Sequence, residues 1–228
     1  VGFDNYATYS LATKMAKSVD EVINFLLQLA RDSKPCAQRE LDELKAFAGR
    51  DLNAWDVAFY SERMKQKRFN LSEEELRPYF PAPQVLHGLF DVASRLYSIK
   101  IIERKEVEKY HADVQFFDIF NTEGALRGSF YVDLYARTKK RGGAWMDDCV
   151  GRMQFGHASY LPVAYLVCNF MPPADEGQPA LLTHSEVVTM FHEFGHGLHH
   201  MLTRVNYPSI AGINGVPWDA VELPSQFM

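Results

Sequence analysis

His192-Glu193-Phe194-Gly195-His196 constrains this chain more than any other segment. Two histidines four residues apart, with a glutamate directly after the first, work together only on a helix, where they form a pattern of zinc-dependent hydrolases. At 3.6 residues per turn the two imidazoles stack on one face about 6 Å apart along the axis, within reach of one ion. Glu193 is rotated by about 100° from His192, so its carboxylate faces a zinc-bound water without being a ligand. Zinc lowers the pKa of such a water to around 7, and a neighbouring carboxylate then takes its proton as general base. The pattern points to hydrolysis.

The surrounding residues argue for the helix independently. Thr183-His184-Ser185-Glu186 reads as a capping box before the apolar run Val187, Val188, Met190, Phe191, with Thr183 as N-cap. Phe194, Leu198, Met201 and Leu202 continue the apolar surface, and the helix is expected to end near Thr203 or Arg204. Gly195 and Gly197 each cost about 1 kcal/mol relative to Ala in a helix interior, so another backbone or side chain is expected to approach closely there. Four of the eight histidines lie between positions 192 and 200. His196 pairs with His199 or His200 at ligand spacing too, but neither pair has a glutamate in the general-base position. His199 shares a stripe with His192 about 10 Å along the axis, too far for bonds near 2 Å to a common ion. His199 and His200 are therefore read as supporting or packing residues.

A catalytic zinc needs a third protein ligand beside an open position. Asp219 and Glu222 are the acidic residues that follow the histidines, and Glu222 lies between Val221 and Leu223. A carboxylate in such apolar surroundings is costly unless an ion compensates it. The competing reading makes Glu222 a surface residue of a short helix capped by Asp219.

His192-Glu193-Phe194-Gly195-His196 followed, after a Gly-rich link, by Val221-Glu222-Leu223-Pro224-Ser225-Gln226 resembles the zinc oligopeptidases of the thimet oligopeptidase and dipeptidyl carboxypeptidase group. The resemblance extends through Asn53-Ala54-Trp55-Asp56, Tyr79-Phe80-Pro81, Gly88-Leu89-Phe90-Asp91 and Phe130-Tyr131-Val132-Asp133-Leu134-Tyr135, and so covers most of the chain. It implies His192 and His196 as histidine ligands, Glu222 as the glutamate ligand of one zinc per chain, and Glu193 as catalytic base. It also implies a mostly helical protein whose deep channel between two lobes admits short peptides. Members carry long helical segments before and after the region matched, and the later one holds a tyrosine and a histidine that stabilise the tetrahedral intermediate. Residues 223 to 228 contain neither type, and the chain opens Val1-Gly2-Phe3 without an initiator Met, so a piece truncated at both ends is expected.

Composition narrows the partners. With 228 residues, 47% hydrophobic, 23% charged and a net charge of -5, the chain can bury a sizeable core and has no basic excess to recruit nucleic acid. No apolar run approaches the roughly 18 residues of a membrane span. Cys36, Cys149 and Cys168 lack metal-type spacing and read as reduced thiols of a cytoplasmic protein.

Along the first half, Ser18-Val19-Asp20-Glu21 and Ser72-Glu73-Glu74-Glu75 are further capping boxes. Pro35 is expected to end or kink the long helical pattern between them. From Ser98 to Asn169 the period shifts to strands: Ile99 to Ile102, Val114 to Phe120, Ser129 to Tyr135 and Val163 to Cys168. Ala164 to Asn169 is the candidate for an edge strand that pairs with extended substrate, against the alternative of a core strand. Arg137 to Gly143 reads as a solvated basic turn, and Tyr207 to Pro217 as a Gly- and Pro-rich loop returning Glu222 to the histidines.

The expected fold is mainly α with a small β-sheet, a zinc-helix metallopeptidase catalytic region. Residues 1–228 form part of one catalytic domain: 1–98 mainly helical, 99–170 the sheet region, 183–228 the zinc-site helices and link. The expected activity is hydrolysis of internal bonds of short peptides, with Glu193 as base. The alternative is a zinc-stabilised structural or peptide-binding fragment with little turnover of its own.

Overall fold

Side-chain caps fix where the helices begin. In the computed structural model, which describes residues 2–175 and 177–228, the chain forms two compact units that divide between Leu76 and Arg77. The first is helical, with α1 (Tyr6–Leu11), α2 (Val19–Ala48), α3 (Ala54–Phe69) and the single turn α4 (Glu73–Leu76). Ser18 opens α2 by accepting from the Glu21 amide at 3.1 Å. Before α4, Ser72 and Glu75 exchange both bonds of a capping box, at 3.1 and 3.2 Å. α2 does not end at Pro35 but runs through it. Proline removes one amide and so frees the carbonyl four residues earlier. Residues 23 to 40 are all exposed, so that carbonyl faces solvent rather than a dry core.

Among the described residues, the second unit contains α5 (Ala82–Tyr97), α6 (His184–Met201), α7 (Leu223–Phe227) and seven strands. These are β1 (Lys100–Glu103), β2 (Gln115–Phe120), β3 (Leu126–Tyr135), β4 (Trp145–Val150), β5 (Met153–Phe155), β6 (Ala158–Tyr160) and β7 (Val163–Phe170). Five form a mixed sheet in the order β1-β2-β3-β7-β4, while β5 and β6 make a separate hairpin. β3 and β7 run parallel, and the other neighbours are antiparallel. Helices and a small mixed sheet together make the fold α/β in character.

Alternation along β2, β3 and β7 turns Phe117, Ile119, Phe130, Val132, Leu166 and Cys168 into one core with Leu86 and Leu89 of α5 and Met190, Phe194 and Leu198 of α6. Phe194, from inside the histidine motif, is fully buried, its ring 5.4 Å from Phe130 and 5.8 Å from Phe90. Burying an aromatic ring of this kind contributes roughly 1.5–3 kcal/mol and fixes the rotation of α6 about its axis. That rotation leaves His192 and His196 facing away from the sheet core.

The strand containing Ala164 to Asn169 is not an edge, because β7 lies between β3 and β4. Its near-continuous apolar run is the signature of a strand covered on both sides. The edge on this side of the sheet is β4, whose Asp147 and Asp148 hide it from a hydrophobic-pattern search and are typical of a guarded edge. The basic run after β3 is likewise not simply solvated. Lys140, its side chain 5% exposed, donates to Asp133 Oδ1 at 2.8 Å and to the Tyr135 and Cys168 carbonyls at 2.8 and 2.5 Å. Arg137 grips the same carboxylate with both terminal nitrogens, at 2.7 and 2.8 Å. No helix among the described residues is long and apolar enough to cross a membrane.

Burial opposes the Asp133 charge, but Arg137 and Lys140 outweigh it and hold the carboxyl below its usual range. A depressed carboxylate stabilises the fold fully above its unfolded value, near pH 4, and loses that contribution as pH falls through the folded value. Asp133→Asn leaves Lys140 buried without its anion and is expected to cost about 3–5 kcal/mol in urea unfolding at pH 7. The gap to wild type should narrow below about pH 4; a gap unchanged down to acid unfolding would refute this role.

Candidate metal centre

α6 begins at a complete capping box: Thr183 accepts from the Glu186 amide at 3.1 Å, and the Glu186 carboxylate accepts from the Thr183 amide at 2.8 Å. One helical turn separates His192 from His196, and their rings stand 5.0 Å apart at 89°. The Nε2 atoms of both lie 3.1 Å from the same oxygen, Glu222 Oε2. Sequence-expected residues from two distant segments thus meet at one point. Glu222 sits immediately before α7, and its surroundings are less apolar than expected: Val221 is buried, but Leu223 is exposed and the Glu222 side chain is 54% open.

The loop that returns Glu222 folds back tightly on the end of α6. Gly212 has φ +64°, and a Cβ there would lie 2.7 Å from His200 Nδ1 and 2.8 Å from His200 Cα. Only glycine fits both the conformation and the space. His200 is fully buried, and its Nε2 stands 3.0 Å from the Val150 carbonyl at the end of β4. Because a carbonyl can only accept, that nitrogen carries the proton. His200 therefore joins the edge strand, the histidine helix and the return loop, the supporting place expected of it. His199 is half-buried and belongs to no cluster of potential ligands among the described residues.

Gly195 fulfils the expectation of a close approach. A Cβ at this position would meet Ser225 Cα at 2.7 Å and the Pro224 carbonyl at 2.9 Å, so α7 sits directly on α6 here. At Gly197 the same test finds only ordinary contact with Met201, and the expectation fails.

Glu193 is 8% exposed and lines the cavity of about 420 Å³ that holds His192, His196 and Glu222. Burial pushes its carboxyl above the ordinary range; His192 opposes this, Glu222 adds to it, and the Met146 amide of β4 favours the charge. Burial pulls His196 below the usual imidazole value, against the pull of Glu222. Trp145 and Met146 of β4 line the cavity, as do Ile213 and Val216 of the return loop and Trp218 just after it. These lining residues leave no mark in the sequence, because β4 lacks apolar alternation and the loop residues are scattered.

The donor set fits a zinc ion. Atoms of His192, His196 and Glu222 all lie within 4.8 Å of one another. Tetrahedral zinc with bonds near 2.0–2.1 Å sets its ligand atoms about 3.3 Å apart, close to the 3.1 Å between each imidazole nitrogen and the Glu222 oxygen. Two imidazoles and one carboxylate leave one coordination position open, as in catalytic sites. The His196 Nδ1 atom is buried without a hydrogen-bond partner among the described residues, which leaves Nε2 as the ring nitrogen aimed at the centre.

The family model for "Peptidase family M3" matches residues 1–228. Oligopeptidase A of Escherichia coli K12 is 56% identical over the whole chain, which covers 34% of that protein. Organellar oligopeptidase A of Arabidopsis thaliana is 42% identical over the whole chain, covering 30% of it. Dipeptidyl carboxypeptidase of Escherichia coli K12 is 39% identical over 99% of the chain, covering 34% of it. The chain thus spans about a third of the length of these curated relatives.

Replacing Gly212 tests whether the return loop depends on this contact with His200. Gly212→Ala combines a left-handed backbone with contacts under 3 Å, and should destabilise the chain by about 1–3 kcal/mol in urea unfolding. Wild-type stability in this variant would show that the loop does not need the contact.

Proposed function

Because the chain belongs to peptidase family M3, we propose that it carries the catalytic centre of a zinc-dependent endopeptidase acting on internal bonds of short peptides. The observation that carries this reading is the convergence of two imidazole nitrogens on one carboxylate oxygen, each at 3.1 Å, beside a buried glutamate. His192, His196 and Glu222 would hold one zinc ion, and Glu193, adjacent in sequence but outside the ligand group, is the base. Oligopeptidase A and dipeptidyl carboxypeptidase are the names of its relatives, and they favour peptides as substrates.

When bound, zinc supplies a Lewis acid that polarises the scissile carbonyl and acidifies water to a pKa of about 7. Glu193 takes the proton of the attacking water onto its carboxylate and passes it to the departing amine. The low exposure of Glu193 suits this work, since burial raises proton affinity while the Met146 amide keeps the carboxylate aimed. β4 offers a sheet edge beside the cavity, and an extended peptide aligned there would gain main-chain hydrogen bonds independent of its sequence. We place the protein in the cytoplasm, a compartment that suits its free thiols Cys36, Cys149 and Cys168.

Metal analysis after dialysis should find one zinc per chain in the wild type, and less than one equivalent in His192→Ala and His196→Ala. Full retention in both variants would remove the ligand assignment. In the full-length enzyme, Glu193→Gln should keep zinc and lose at least about 100-fold in kcat on a short quenched peptide, because an amide cannot accept the proton. Normal hydrolysis by that variant would rule out Glu193 as base.

A further inference from the structure

Glu222 must hold its carboxylate against two histidines although its side chain is about half open to solvent. A glutamate side chain has three rotatable bonds, and an exposed one samples many rotamers unless something holds it. The holding group lies three residues on. Ser225 is 1% exposed, and its Oγ stands 3.1 Å from Glu222 Oε2, the same oxygen that faces His192 and His196.

Ser225 Oγ is also 2.8 Å from the Glu222 carbonyl, and a hydroxyl has one proton to give. The carbonyl already accepts from the Gln226 amide at 3.0 Å. The carboxylate is charged, and hydrogen bonds to ionised acceptors are roughly twice as strong as neutral ones. The stronger acceptor therefore favours donation to Oε2 although the carbonyl contact is the shorter, and a proton given there fixes the angle at which the carboxylate meets the histidines.

Ser225 reaches this position because Gly195 lets it. The Ser225 backbone lies where a Cβ on residue 195 would stand, at 2.7 Å. The glycine inside the histidine motif and the serine after Glu222 are thus two halves of one contact: the first admits α7 to the surface of α6, and the second turns that approach into an aimed carboxylate.

We infer that Ser225 is a positioning residue for the metal centre, acting through Glu222 Oε2, with Gly195 as the opening that admits it. The inference rests on the zinc reading above and goes beyond it by assigning a role to a residue outside the ligands and the base.

The test is zinc affinity of the 228-residue chain, measured by competition with a chromophoric chelator, for wild type, Ser225→Ala, Glu222→Ala and the double variant. Ser225→Ala removes one oxygen from a buried site and should weaken zinc about 10- to 100-fold, with a changed cobalt(II) visible spectrum. Ser225→Cys, which keeps a weak donor in nearly the same volume, should fall between the two. Added to Glu222→Ala, Ser225→Ala should cause no further loss, because the group it acts through is gone. Wild-type affinity in Ser225→Ala, alongside weakened binding in Glu222→Ala, would overturn the inference while leaving the zinc reading intact. An undiminished loss in the double variant would overturn it also, since Ser225 would then act on the fold rather than on the carboxylate. Unweakened zinc in Glu222→Ala would remove the ligand assignment itself and the inference with it.

Discussion

Everything at the candidate centre depends on one carboxylate oxygen lying 3.1 Å from two imidazole nitrogens. The histidines come from a single helix, so their separation is set by helical geometry, but Glu222 arrives from a separate segment and must be delivered. Two contacts do that. Gly212 lies flat against His200, which sets the path of the return loop, and Gly195 admits the Ser225 backbone, which sets the distance between α6 and α7. Each has a glycine where any side chain would collide with backbone atoms. The cost of glycine within a helix, about 1 kcal/mol at Gly195, is offset by access to a partner that a larger residue would exclude.

The core acts on the centre through rotation of α6. Phe194 is locked among aromatic rings of α5 and the sheet, and its neighbours in the motif consequently turn to the cavity. β4 meets the same helix from the side, presenting the Met146 amide to Glu193 and the Val150 carbonyl to His200. At the far end of β3, Asp133 holds Arg137 and Lys140, and Lys140 binds the Cys168 carbonyl of β7. That buried cluster fastens the two parallel strands together where their register shifts, between Asp133 and Tyr135.

Much of this was legible in the sequence where local chemistry decides the outcome. The capping boxes at Thr183 and Ser72 are complete, and α6 ends at Met201, within a few residues of its expected terminus. His192, His196 and Glu222 stand together, as the motif and the resemblance had implied. What escaped the sequence is long-range. β4 carries two aspartates where a pattern search wants apolar residues, so it leaves no strand signal, while the apolar run of β7 fits both an edge candidate and the core strand that it is. Lys140 looks like one of several exposed cations until Asp133 is brought beneath it. Ser225 stands in the sequence only as part of the Val221 to Gln226 segment that carries the resemblance, and its own role becomes visible only once Gly195 is known to lie against it.

The central claim is that these residues bind zinc through two imidazoles and one carboxylate. X-ray absorption at the zinc edge of the metal-loaded chain measures this directly. The account predicts a first shell of nitrogen and oxygen only, near 2.0–2.1 Å, with outer-shell scattering from two imidazole rings. A sulfur shell near 2.3 Å, or scattering that requires no imidazole, would place the metal elsewhere and contradict it.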